Sequence, residues 1–576
     1  MKNKDKIIRY SIYIVSIIGL AVCIAVLFPQ VRQMIIESAE RILHSKISFY
    51  QEWTRTLLSY AMGGIGLIVF FDYCLLTVSG KMLVRKVKSE IMACLVEIDW
   101  RSFVRPALLM FGIYLLGILS IIRANFLYLD DVGRTDVGYR GWYNWSRYVS
   151  EFFSIFVHAD IRLTDISPLP QLLAALILAL SSVSLLYILC NKKITVIFLF
   201  ASVPIGLSPY MLECLSFKYD SPYMALSVLA SIVPFLFLAR KKAFVFCSVI
   251  SLLVMCMTYQ AASGIYLLIA LLLSFRDWNS KRNSNREVFS FLGRAILSFC
   301  LAMLVFKLFL MRSHSGYASN AMFPLSQMFF NVWANLKNYT ATIYGDFNLI
   351  WMALIGVILF FFIAKSVCTS ARNKIVSFFV SVFLIGLLFI LSYGVYLFLE
   401  RPLFAPRAMY GFGVLLAIAG IYVVTDNRKP AIIGVLALSW CFFTFAFSYG
   451  NALADHTRYV NFRMSLLLHD LSALYPDKDE NKIYIQLKNH IDFTPAVKNI
   501  TAHNPVICRL VPIDNEWWTH YYYMKYFNYE NFDRFLPQID EQKSVDFGVL
   551  DLPVVKETYY HTIKSDGKHI LVVLKH

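Results

Sequence analysis

The sequence predicts a polytopic α-helical membrane protein of about thirteen transmembrane helices with a small α/β domain at its C-terminal end. Three observations lead there. The chain of 576 residues is 58% hydrophobic and only 16% charged, where a soluble domain carries about 25% charged residues. Apolar runs approaching the roughly 20 residues that cross a bilayer recur along most of it. Basic residues gather in short clusters between those runs, as in cytoplasmic loops.

Taken in order, the first span is expected at residues 8–28, behind the basic start Met1-Lys2-Asn3-Lys4-Asp5-Lys6. No small-residue cleavage site follows it, so it reads as an uncleaved anchor. In residues 29–56, Ile35, Ile36, Ala39, Ile42 and Leu43 recur at helical spacing and suit an interfacial helix. The second span, 57–79, contains the unexplained Asp72 and ends at Lys81, Arg85, Lys86 and Lys88. Residues 1–80 thus read as an extra hairpin before a core of residues 81–449. Further spans are expected at 104–122, 171–190, 194–210, 223–239, 243–258, 262–275, 289–310, 349–367, 375–399, 409–424 and 431–447. A tight turn at Tyr259-Gln260 joins two of them, and a helical stretch is expected at 325–339.

Every second inter-span loop is basic, which puts the N-terminus and those clusters in the cytoplasm. The opposite, non-cytoplasmic face then receives loop 123–170, loop 213–222, the segment 314–347, loop 400–407 and the C-terminal domain, residues 450–576. In that domain, 482–487 and 569–574 read as strands, 505–511 less clearly so, and 459–474 and 517–535 as helices. Trp517, Trp518, Tyr521, Tyr522, Tyr523 and Tyr526 suit a sugar surface or an interfacial belt.

Several function classes fall away. The net charge of +17 is that of cytoplasmic loops, so nucleic acid is not expected as a partner. The 11 cysteines lie mostly in apolar runs without a CxxC pair, against a disulfide framework or zinc site. No Gly-rich phosphate loop precedes a helix, and the lone His158 and His314 make no metal site.

Loop 123–170 carries the chemistry. Asp130 and Asp131 stand just beyond an apolar run, in company with Arg134, Asp136, Tyr139, Arg140, Trp142 and Arg147. A carboxylate can take a proton from a sugar hydroxyl. Arginine can hold phosphate bidentately, and aromatic faces suit sugar rings. The plainer reading of the aspartates is a helix cap. On the same face Glu213, Lys218, Tyr219 and Asp220 form a second group, Lys218 as a phosphate partner and Asp220 as a sugar ligand, or the two as a local ion pair. Arg401 and Arg407 in Glu-Arg-Pro-Leu-Phe-Ala-Pro-Arg form a third, as a phosphate clamp or as anchors to lipid headgroups. Tyr259 and Gln260 offer ring stacking or a structural hydrogen bond.

Tyr128-Leu-Asp-Asp-Val-Gly-Arg134, Gly138-Tyr139, Gly141-Trp142 and Arg147 resemble the first large periplasmic loop of the serotype-converting O-antigen glucosyltransferases, the Gtr family of phages and enteric bacteria. Ser208-Pro209-Tyr210, Glu213, Tyr219-Asp220-Ser221, Thr258-Tyr259-Gln260-Ala261 and Pro406-Arg407 extend the likeness over about residues 104–425. The resemblance implies a GT-C-like inner-membrane enzyme, inverting, that moves a hexose, typically glucose, from undecaprenyl phosphate to O-antigen repeats of lipopolysaccharide. A separate polyprenyl-phosphate glucosyltransferase makes such a donor and a flippase turns it over. Asp130 or Asp131 would be the base, Arg407, Lys218, Arg134 and Arg401 would hold the donor phosphate, and Asp220, Glu213, Tyr139, Trp142, Arg147, Tyr259 and Gln260 would face sugar or acceptor. No cofactor beyond the lipid-linked donor is expected. The rivals are a lipid-linked sugar flippase or transporter, an O-antigen polymerase or ligase, and a non-catalytic assembly protein.

Overall fold

The computed structural model describes residues 78–190, 194–311, 321–324, 326–426, 428–475, 483–512, 535–536 and 546–575. The first two expected spans, the interfacial helix of residues 29–56, Asp72, His314 and the aromatic run 517–526 lie outside them. The chain divides into two compact units. In the smaller, formed by residues up to Glu97 with Ala239–Phe246, helix α1 (Val78–Val96) ends beside a pairing of Glu97 with Arg240 at 3.3 Å, and Glu90 accepts a hydrogen bond from the Ala243 N–H at 3.1 Å.

The larger unit is a helical bundle continued by a small sheet domain. Its helices are α2 (Trp100–Ala124), α3 (Asp130–Val137), α4 (Tyr148–His158), α5 (Leu169–Leu189), α6 (Val196–Ser202), α7 (Pro204–Leu207), α8 (Pro209–Ser216) and α9 (Ser221–Ile232). Then come α10 (Lys241–Cys256, begun in the smaller unit), α11 (Ser263–Asn279), α12 (Asn285–Val305), α13 (Met328–Asp346), α14 (Leu349–Cys368) and α15 (Lys374–Leu391). Helices α16 (Gly411–Val424) and α17 (Lys429–Leu474) complete the bundle.

Among the described residues seven helical segments are long and apolar enough to cross a membrane, or eight if the pair Val196–Leu207 and Pro209–Ser216, bent by 59°, is one span. Eleven of the thirteen expected spans fall among these residues, so three or four fewer are met there. Proline is the reason at the bend: Pro204 and Pro209 each begin a new helix, and a ring without an N–H cannot continue the preceding one. Ser221–Phe237 and Gly411–Val424 are apolar but short. The span expected at 375–399 stops at Leu391, after which Gly394 takes φ +60° and a 3-10 turn, Gly394–Phe398, follows. The loop expected at 213–222 is mostly helix, the end of α8 and the start of α9.

Side-chain contacts sort the helix ends into two groups. Arg276 donates to the Leu189 carbonyl at 3.0 Å, Arg372 to Trp278 at 3.0 Å and to Asn285 at 2.6 Å, and Asn279 to Ser366 at 2.8 Å. Lys365 caps the end of α16 through the Tyr422 carbonyl and Thr425. These are ends whose neighbouring loops are basic. The loops at 123–170, 213–222 and 400–407 meet one another at the other end, as described below.

The C-terminal domain grows out of α17, which is continuous for 46 residues. Its five-stranded sheet has the order β2-β1-β5-β4-β3, from strands β1 (Ile483–Lys488), β2 (Phe535–Leu536), β3 (Val554–Glu557), β4 (His561–Ser565) and β5 (His569–Leu574). β1 runs parallel to β2 and β5, while β3, β4 and β5 form an antiparallel meander. The segment expected as a strand at 505–511 is instead a short helix, α19 (Ile507–Leu510), preceded by α18 (Pro495–His503). Phe535, expected at a helix end, opens β2. The domain core joins Val460, Met464, Leu467 and Leu471 of α17 to Ile485, Ile563, Ile570 and Val572 of the sheet, and takes in Val132 of α3.

Candidate active site

The acidic loop becomes a helix start under local strain. Leu129 sits at φ +47° and ψ −108°, a conformation a branched side chain seldom adopts, and α3 begins at the next residue. This sharp entry lets Asp131 turn back. Its Oδ2 accepts the Tyr128 N–H at 3.1 Å and the Lys218 N–H at 2.9 Å. Asp131 is fully buried, and its Oδ1 has no hydrogen-bond partner. Burial pushes its carboxyl up to about 7, against the pull of the Lys218 N–H, Arg134 and the Tyr128 N–H. Asp130, one residue earlier, is exposed. The cap reading is not met: Leu129 holds the cap position without a side-chain bond, Asp131 bonds N–H groups outside α3, and one of its oxygens is left over.

Lys218 and Asp220 do not pair with each other. The Lys218 ammonium is buried and donates to Asn125 Oδ1 at 2.6 Å and Asp165 Oδ2 at 2.8 Å. These bonds hold the Asp165 carboxyl below the usual carboxylate range despite its partial burial, with help from Ser167. Asp220 is buried between the Arg134 guanidinium and the Trp142 indole N–H. Arg134 also lies over the Trp142 ring, 4.4 Å from its centroid, and 5.9 Å from that of the exposed Tyr139. Trp142 in turn meets Tyr223 edge to face at 5.2 Å. Arg134, Asp220 and Trp142 therefore lock α3 to the start of α9. Gly138 closes α3 at φ +72°, where a side chain would be strained and a Cβ would stand 2.9 Å from the Leu163 carbonyl oxygen.

Helix α4 is polar inside and apolar outside. Ser150, Glu151, Ser154 and His158 are buried, whereas Phe152, Phe153 and Phe156 are exposed with their rings in mutual contact. Glu151 pairs with Arg140 at 3.1 Å and its carboxyl is raised by burial. His158 stacks on Tyr219 with ring centroids 5.6 Å apart, and burial lowers its imidazole.

A second cluster stands beside the first across Phe217, which packs on Tyr128 at 4.7 Å and lies 5.8 Å from the Arg407 guanidinium. Glu213, buried, accepts from Arg407 Nη1 at 2.7 Å and from the Arg407 backbone N–H. Arg147 covers Tyr259 at 4.5 Å, and the buried Tyr259 hydroxyl has no partner. Gln260 makes the structural bonds, to the Cys256 carbonyl at 2.8 Å and that of Trp145 at 3.3 Å. Arg401 is exposed, apart from Arg407 on the same loop.

A cavity of about 260 Å³ opens at Lys218. Ile121, Ile122, Phe126 and Pro168 give it an apolar wall, and Asn125, Gln171, Ser216 and Lys218 polar groups. The Gln171 Oε1 is buried without a partner. Sequence reasoning missed Asn125, Asp165 and Gln171; only their position beside spans on the acidic face marked them. Among the described residues no three His, Cys, Asp or Glu side chains gather as a metal site would need.

Residues 119–444 match the glucosyl transferase GtrII family. The chain belongs to that family. The match takes in α3, Lys218, Asp220, Glu213 and Arg407, so the clusters just described lie inside the family's own region. The chain is also similar to a protein of Salmonella phage P22 described as an uncharacterized 55.3 kDa protein in the gtrB 5' region, with 24% identity over 472 residues, 78% of this chain and 96% of the relative. No solved structure matches. The matched region ends within α17, so the sheet domain lies beyond the part the family defines.

Proposed function

We propose that the chain is an inverting glycosyltransferase that moves a hexose, glucose by its family, from undecaprenyl phosphate to O-antigen repeats at the periplasmic face of the inner membrane. The observation that carries this reading is Asp131: a fully buried carboxyl near neutrality, one oxygen fixed by two N–H groups and the other unpaired. A general base works best when its pKa lies near the operating pH. In the proposed step Asp131 Oδ1 takes the proton of an acceptor hydroxyl. That oxygen bonds to the anomeric carbon, the bond from that carbon to the phosphate oxygen breaks, and the lipid phosphate leaves with the electron pair.

Lys218 and Arg407 stabilise the departing phosphate. The cavity at Lys218, apolar on one wall and polar on the other, has the mixed chemistry of a lipid-linked sugar headgroup. Arg134, paired with Asp220 and stacked on Trp142, positions α3, and its unpartnered Nε is left for the donor phosphate. The exposed rings of α4 would lie among lipid headgroups. The location of the chemistry favours an enzyme over a transporter: the buried charges cluster at loops and helix ends, where a transporter would hold them at mid-membrane.

The test is transfer of labelled glucose from purified polyprenyl-phosphate-glucose to a lipid-linked O-antigen acceptor in proteoliposomes. D131N is expected to lower turnover by about 100-fold or more, the range of a lost general base, and D130N by less than about tenfold. Wild-type turnover by D131N would remove Asp131 from the mechanism. Donor translocation without transfer would put the chain among the transporters.

A further inference from the structure

The C-terminal domain, which the family match does not cover, reaches the candidate active site at two points. The first is Val132. It follows Asp131 directly, is fully buried, and belongs to the hydrophobic core of the sheet domain with Val460, Met464, Leu467 and Ile563. The second is the segment from Val506 to Val511. Val506, Ile507, Leu510 and Val511 are buried, and the Leu510 carbonyl accepts hydrogen bonds from Tyr128 at 2.7 Å and from Tyr449 at 3.2 Å. Tyr128 is the residue whose N–H holds Asp131, and Tyr449 contacts Ser216 of the cavity wall at 2.8 Å.

Between these buried residues Arg509 points the other way. Its guanidinium bonds Asp346, the last residue of α13, and the Phe404 carbonyl. Phe404 lies three residues before Arg407, within the proline-bounded stretch Pro402–Pro406. Asp346 is buried and receives the Tyr210 hydroxyl at 2.7 Å, so the carboxylate end of the pair is anchored in the bundle, while Arg509 is half-buried. A guanidinium that joins a buried carboxylate to a loop carbonyl fixes that loop in position and direction.

We propose that Arg509 is a positioning residue of the transferase, setting the loop that presents Arg407 to the donor phosphate, so that the C-terminal domain is part of the active site. The proposal rests on the reading of Arg407 as a donor-phosphate ligand. It gives the domain a task at the donor side, through one ion pair, in addition to any contact with acceptor.

The test is a double-mutant cycle in the full-length protein in proteoliposomes. R509A is expected to raise the KM for polyprenyl-phosphate-glucose about tenfold with kcat within about twofold, the signature of lost binding rather than lost chemistry. R509K, which keeps charge but not the fork, should recover part of that. Placed in an R407A background, R509A should add less than about twofold, because it acts through a residue already gone. Independent effects of R407A and R509A, or an unchanged KM in R509A, overturn the proposal. A second readout needs no activity: a cysteine placed at Leu403, labelled with maleimide and read by peptide mass, should react faster in R509A than beside Arg509. An unchanged labelling rate also overturns it. If the wild-type protein transfers no glucose from this donor, the functional reading fails by itself, and the labelling experiment still decides whether Arg509 holds the loop.

Discussion

As the proposed base, Asp131 would tie catalysis and stability to the same proton. Its folded-state carboxyl is raised to about 7, well above that of an aspartate in an unfolded chain. The folded protein therefore binds the proton more tightly, and this contribution to stability is present at low pH and is lost as pH rises through 7. Activity runs the opposite way, since the base must be ionised. We expect kcat/KM to rise with pH and level off above about 7. D131N, uncharged at every pH, should then melt at a higher temperature than wild type at pH 8, with the gain shrinking towards pH 5. Thermal unfolding of both proteins across that range checks the sign. Asp220 should behave differently. D220N leaves the buried Arg134 without its counter-charge, a loss of about 3–5 kcal/mol for a buried pair. It should lower the melting temperature at pH 5 and pH 8 alike. The partners of these charges were not legible in the sequence. Lys218 and Asp220, two residues apart, read as a local pair, yet each bonds to loop 123–170, 53 residues away for Lys218 and 86 for Asp220. Composition marked the candidate residues, and only the fold could say which met.

Among the elements, long periodic runs were legible and short apolar ones were not. Residues 505–511, apolar and brief, suit a buried strand or a helical turn equally by pattern, and packing beneath Tyr128 and Tyr449 selected the helix. The end of α15 shows another limit. Apolar sequence continues to Leu399, but the helix stops at Leu391, where two glycine-bearing elements pass close to the backbone carbonyls. A Cβ on Gly264 would fall on the Leu391 oxygen, and one on Gly411 on the Ser392 oxygen. Small residues let backbones approach this closely in membrane bundles. G264A and G411A should therefore lower the yield of folded protein and the melting temperature. G356A, in α14 with nothing within 4 Å of the added methyl, should match wild type or exceed it slightly, as alanine is the better helix former by about 1 kcal/mol. Fluorescence-detected size exclusion after graded heating would separate the three.

Within the larger unit, the contacts bring together helix ends beside four of the six basic clusters, although clustering is a statistical property of loops and contact is geometry. The grouping was legible because charge is placed by the membrane and not by local folding. Which group faces which compartment is a prediction. A cysteine replacing the exposed Ile161, in the acidic loop, should react with an impermeant maleimide in intact spheroplasts. One replacing Ala371, in the turn between α14 and α15, should react only after permeabilisation. The reverse pattern would invert the assignment.

The unbroken α17 has a mechanical consequence. At about 1.5 Å per residue its 46 residues extend about 69 Å, well beyond a hydrocarbon core about 30 Å thick. The sheet is thus mounted on a rigid shaft, and each residue of that shaft sets an angle as well as a height. One residue inserted between Asp455 and Phe462 would turn everything beyond it by about 100° while raising it by only about 1.5 Å. That rotation would swing the far end out of mesh with the bundle. Seven inserted residues would nearly restore the angle but lift the sheet by about 10 Å. A flexible tether would tolerate both changes; a shaft geared to its socket tolerates neither.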